Sequence, residues 1–163
     1  MASQPTNTTF YIPGHVPSSK NLQRCGVTKT GKPYAYPDNR VREYHQLTDN
    51  IFAAKAEKFY RGYENGTDLA GYPNYSYPVK VGFHFIRKDN RRFDFHNALQ
   101  VVADRMVHHQ WIEDDDIEHF IPVPLYYAPP VKYINWEFNS GWYTVSKSNP
   151  GVCIRIIGNN ATP

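Results

Sequence analysis

The run RRFDFHNALQ, residues 91–100, sets two arginines ahead of Asp94, His96 and Asn97, where an amphipathic pattern begins. Further along, Asp114, Asp115 and Asp116 sit inside the acidic run 113–118. Carboxylates flanked by Arg and Lys are the residue types that metal-assisted phosphodiester hydrolysis needs. Their oxygens suit Mg2+ or Mn2+, the metal polarises a phosphoryl oxygen and acidifies its water, and the cations orient the phosphate backbone. No Gly-rich phosphate loop, Cys–His pair or Ser-triad signature competes with that chemistry. Taken singly, each residue also has a plainer reading, and both readings stand at this level. Asp94 can be a helix N-cap, His96 an exposed helix residue and 113–118 a solvated acidic loop. Asp104 reads best as a surface residue pairing with Arg105 or His108. His108 and His109 are adjacent on one helix, where side chains diverge, so they are not expected to share a ligand.

Periodicity supplies the elements that must hold these groups. Residues 8–12 read as a short strand closed by the Pro13-Gly14 turn. Residues 16–37 are poor in aliphatic side chains, carry Lys20, Arg24, Lys29 and Lys32, and are expected to form a surface loop. A helix is expected over 41–60, with Tyr44, Leu47, Ile51, Ala54 and Phe59 for its buried stripe. Residues 62–78 are a Tyr-, Gly- and Pro-rich connection. Val79, Val81, Phe83 and Phe85 then alternate with Lys80, Gly82, His84 and Ile86, the clearest strand in the chain.

Phe95, Leu99, Val102 and Met106 recur at helical spacing, which predicts a second helix over 95–109 with Asp94 at its mouth. Strands are expected at 117–123 and 152–157, with a hairpin of 133–138 and 142–145 around Asn139-Ser140-Gly141. Helices and strands mix without regular alternation or repeat. The expected class is therefore α+β, one domain over 1–163, with a mixed β-sheet packed on two main helices and residues 1–7 loose. A helix of roughly 15 residues is about 22 Å long. Asp94 and Asp115, placed at its opposite ends, meet only through a bent connection or a neighbouring subunit, and their pairing stays open.

At 163 residues the chain can bury a core without staples, and 40% hydrophobic with 20% charged residues is a globular composition. The formal charge of +3 does not by itself announce a nucleic-acid binder; its distribution matters more, with cations at 20–32 and 87–92 and acid at 113–118. Cys25 and Cys153 have no metal-type spacing and suggest no disulfide framework. The N-terminal residues lack the pattern of a signal peptide, and no apolar run is long enough to span a membrane, so a cytoplasmic location without membrane contact is expected.

The run RRFDFHNALQVVADRMVHHQWIEDDDIEHF resembles the core motif of the RusA family of Holliday-junction resolvases, in which basic residues precede Asp-x-Asp-Asn, a helix carries Lys and Asp, and an Asp-Asp pair follows. FYIPGHVPSSKN resembles that family's N-terminal segment and NPGVCIRI its closing strand. The resemblance implies a Mg2+-dependent homodimeric endodeoxyribonuclease that resolves four-way or other branched double-stranded DNA in recombination and repair. It places Asp94 and Asp115 as catalytic metal ligands, Asp114 beside them, and Asn97 and Asp104 as supporting residues. Lys20, Arg24, Arg87, Lys88, Arg91 and Arg92 would contact phosphates. Two positions depart from the pattern: His96 stands for the second Asp, and Gln100 for the motif Lys. Imidazole is a poor ligand for Mg2+ and a better one for Mn2+, so His96 as a ligand would favour Mn2+; it can instead serve as a general base. The alternative is a catalytically degenerate branched-DNA-binding protein of the same fold, and a third reading is a protein-interaction domain with an acidic loop.

Overall fold

The computed structural model describes residues 9–18, 23–63, 78–125, 137–138 and 142–159. Within them lie β1 (Phe10–Pro13), β2 (Gln23–Val27), β3 (Pro33–Pro37), α1 (Asn39–Tyr63), β4 (Val79–Arg87), α2 (Phe95–His108), β5 (Phe120–Pro124), β6 (Glu137–Phe138), β7 (Tyr143–Val145) and β8 (Gly151–Asn159). Six strands make one mixed sheet in the order β1-β8-β4-β7-β6, with β5 also on β4. This is the expected α+β arrangement of a mixed sheet and two helices. No helix among the described residues is long and apolar enough to cross a membrane.

Strand β4 is the axis of the sheet. One edge pairs antiparallel with β8, and the other is shared in succession by β5, opposite Val79–Phe83, and β7, opposite Phe85–Arg87, both parallel to β4. A strand with neighbours on both edges and packing on both faces needs apolar residues throughout. Accordingly, Gly82, His84 and Ile86 are as buried as Val81, Phe83 and Phe85. His84 is satisfied in place, with Nδ1 donating to Leu125 O and Nε2 accepting from the Thr144 hydroxyl, each at 3.0 Å. It joins β4 to the end of β5 and to β7. Gly151 marks the close contact of β8 with β1, since a Cβ there would lie 2.5 Å from the Ile12 carbonyl oxygen.

Helix α1 begins at the N-cap Asp38, whose Oδ1 accepts the Arg40 backbone N–H at 2.9 Å. Its buried stripe is Val41, Tyr44, Thr48, Phe52 and Phe59, at helical spacing. Leu47 and Ala54 instead face outward and Ile51 is half-buried, so the stripe is rotated from the expected one. The segment 16–37 is also corrected. Gln23–Val27 and Pro33–Pro37 pair as an antiparallel hairpin, closed around a turn with Gly31 at φ 81°. Residues 133–136 and 139–141 of the expected hairpin lie outside the described residues, while Glu137–Phe138 and Tyr143–Val145 do pair antiparallel. Residues 117–119 form a turn, so β5 starts at Phe120.

Helix α2 ends in a Schellman motif. Gln110 takes the left-handed conformation at φ 61°, its N–H reaches Val107 O, and the Trp111 N–H reaches Met106 O at 2.7 Å. That reversal drives Trp111 into the core against Phe10, Phe52 and Phe59, with its indole N–H on the Phe52 carbonyl at 2.9 Å. The left-handed backbone of a non-glycine residue is strained, and burial of the whole indole offsets it. The acidic segment that follows is thereby turned back along α2.

Candidate functional site

The β4–α2 connection, the strip after β1 and the start of α1 enclose a cleft of about 410 Å³. Arg40, Arg87, Lys88, Arg91 and Arg92 line it, opposed by only Glu43 and Asp89, with His15 beside them. A second hollow, about 520 Å³, shares Ser18 and Arg92 with the first and is completed by Phe93, Asp94 and Phe95. The cationic cleft thus leads to the N-terminus of α2, a place where backbone N–H groups and the helix dipole already favour anions.

The cations play different parts. Arg87 is turned inward and only 5% exposed. Its Nη1 donates to Val16 O at 2.8 Å, and its guanidinium lies 4.2 Å from the centre of the Phe93 ring. This corrects its expected place among the exposed phosphate contacts: it supports the cleft from beneath. Lys88, Arg91 and Arg92 are exposed at the rim. Arg91 also stays near Asp89, whose carboxylate the Arg91 backbone N–H holds below its ordinary pKa. Lys20 lies outside the described residues, and Arg24 is placed only as a backbone position on β2. His15 and Arg40 were not found by sequence reasoning, because only the packing of α1 against the β1 strip brings them here. Burial, with Arg87 and Lys88 alongside, lowers the pKa of His15 to about 4, and its Nδ1 is oriented toward the Lys88 N–H at 3.5 Å.

Asp94 is the N-cap of α2, its Oδ1 accepting the Asn97 backbone N–H at 3.4 Å. His96 is exposed on the first turn, its ring centre 4.3 Å from that of Phe95. One and two turns on, Gln100 and Asp104 continue the same face. The Gln100 amide nitrogen donates to Asp104 at 3.1 Å and to Asp115 at 3.0 Å. The reversed acidic segment therefore does not stay at the far end of α2. It brings Asp115 to a level about 9 Å along the helix from Asp94, at 1.5 Å per residue. The Asp114 carboxylate accepts the Asp115 N–H at 2.8 Å. Partial burial and the charge of Asp104, with Asp114 adding to it, raise the pKa of Asp115.

Asp104, Asp114 and Asp115 thus bring carboxylate oxygens to one side of α2, with the Gln100 amide between Asp104 and Asp115. The expected quartet Asp94, His96, Asp114 and Asp115 does not converge as one set. Among the described residues, the one group of three or more such side chains with ligand atoms within 4.8 Å of one another is Asp49, His108 and His109. No protein-family model matches this sequence, and no curated protein matches it either.

Proposed function

We propose that the protein is a metal-dependent endodeoxyribonuclease of the RusA-like type, resolving four-way or other branched DNA in recombination and repair. The observation that carries this reading is the cationic cleft opening beside Asp94. In it Lys88, Arg91, Arg92 and Arg40 would hold the phosphate backbone, an attraction that weakens steeply with salt. Asp94 and Asp115 would hold the metal, with Asp114 and Asp104 beside them and Asn97 and Gln100 supporting their placement. Bound Mg2+ or Mn2+ supplies polarisation of the phosphoryl oxygen and a more acidic water. His96, exposed on the same face, is suited to take a proton from that water. A homodimer in the cytoplasm would place two such sites on one junction, one for each strand to be nicked.

A second reading has its own support. Asp94 stands apart from Asp115, and the Gln100 amide bridges Asp104 to Asp115, which suits a protein that binds branched DNA without cutting it. A labelled four-way junction, incubated with and without Mg2+ or Mn2+, separates the two. The nuclease cuts in metal, and Asp94→Asn and Asp115→Asn abolish cutting while leaving binding intact. Parental cutting rates in either variant would refute the site. His96→Asp should improve activity in Mg2+ relative to Mn2+ if His96 is a ligand, and an unchanged metal profile counts against that role. Salt-sensitive binding with no cleavage in any metal establishes the second reading.

A further inference from the structure

Away from the cleft, α1 and the C-terminal end of α2 bring together a different set of ligands. Asp49, His108 and His109 each offer one ligand atom within 4.8 Å of the others. Two consecutive residues inside a helix point apart, but His109 is the C-cap, with φ −93° and ψ 12°. The two imidazole centres nevertheless lie 4.8 Å apart at 83°. His109 Nε2 is 2.7 Å from Asp49 Oδ1. The same ring stacks on Phe52, 6.0 Å between centres and 3° from parallel, which fixes its plane. His108 and the half-exposed Asp49 leave the cluster open to solvent.

We propose that Asp49, His108 and His109 bind one transition-metal ion of the zinc class, tying α1 to α2. Two imidazoles and a carboxylate with an open fourth position form a donor set for Zn2+ or Co2+, whereas Mg2+ prefers oxygen ligands throughout. Bonds of about 2.0–2.2 Å at tetrahedral angles separate ligand atoms by roughly 3.3 Å. The Asp49–His109 pair would open by about half an ångström and His108 would close in, movements that side-chain rotation can supply. Arg105 Nη1 donates to Asp49 Oδ1 at 3.3 Å and would remain as the partner that orients the carboxylate. Its positive charge opposes the incoming ion, so the affinity has to come from the imidazoles. His45, one turn before Asp49 on α1, has a buried Nε2 with no hydrogen-bond partner among the described residues and is a further imidazole on that side of the helix. The cluster shares no residue with the cleft or with the nuclease site proposed above, and stands independently of that function.

The test is titration of the full chain with Zn2+ and Co2+ by calorimetry, with the visible bands of four-coordinate Co2+ as a second signal. One equivalent is expected to bind, with millimolar Mg2+ unable to displace it. His108→Ala, which alters an exposed side chain, and Asp49→Asn should each weaken binding more than about tenfold. His119→Ala, in the separate cluster with Asp116, should bind as the parent does. A hundredfold excess of Zn2+ over its Kd should raise Tm by about 5 °C or more in the parent and not in His108→Ala. Absence of a saturable equivalent, parental affinity in both His108→Ala and Asp49→Asn, or loss of the site in His119→Ala would overturn the proposal.

Discussion

Replacing Arg87 by Met separates a support of the cleft from a contact to its ligand. Arg87 is 5% exposed as a residue, donates one hydrogen bond to Val16 O and places its guanidinium over the Phe93 ring. A hydrogen bond from a charged donor is worth about 1.5–3 kcal/mol, and a desolvated cation–π contact about 2 kcal/mol. Against these, Met removes the cost of burying a charge and refills much of the volume. The net loss should be roughly 2–3 kcal/mol, a fall in Tm on the order of 4–12 °C for a chain of this size. Arg91→Ala is the contrasting variant, since that side chain is 89% exposed. It should leave Tm within about 1 °C, as surface substitutions do, and reduce the slope of log K against log salt for DNA binding by about 0.9. Thermal unfolding and salt-dependent junction binding, measured on both variants, give the two readouts. If Arg87→Met keeps the parental Tm while losing a full phosphate contact from the salt slope, Arg87 faces the ligand and the supporting role is wrong.

Thr144→Val should cost about 1–3 kcal/mol by leaving the buried His84 Nε2 without its donor, although shape and strand preference are preserved; denaturant unfolding of the variant measures this. His15 should remain neutral until the pH falls to about 4, visible as a late-titrating imidazole by NMR. Because the unfolded chain binds that proton from about pH 6.5, this group makes stability fall as pH drops from about 6.5 to about 4, with no further loss below. His15→Asn should flatten that part of the stability profile.

Much of the frame was legible because it rests on local chemistry. Periodicity located both long helices and the central strand, and Asp94 preceding an amphipathic run read correctly as a cap. The strand at β4 was legible in the same way, but not that the fold covers both of its faces. The same local view failed on α1, where Leu47 and Ala54 looked as fit for burial as Val41 and Phe52, and only the partners packed against the helix choose between them. It also read 16–37 as irregular, since a two-stranded hairpin with exposed Val27 and Tyr34 carries no buried-face pattern.

The sequence by itself determined which residues could do chemistry: the acids at 94 and 113–118, the basic run at 87–92, and the imidazoles at 96, 108 and 109. Their grouping was decided by tertiary structure. A left-handed Gln110 and a buried Trp111 turn the acidic segment back onto Gln100. The packing of α1 against α2 sets His109 against Asp49, while the folded core claims Arg87 from the basic run. A residue type fixes what a group can bind, but distances between groups far apart in the chain depend on how helix ends and the core route the backbone.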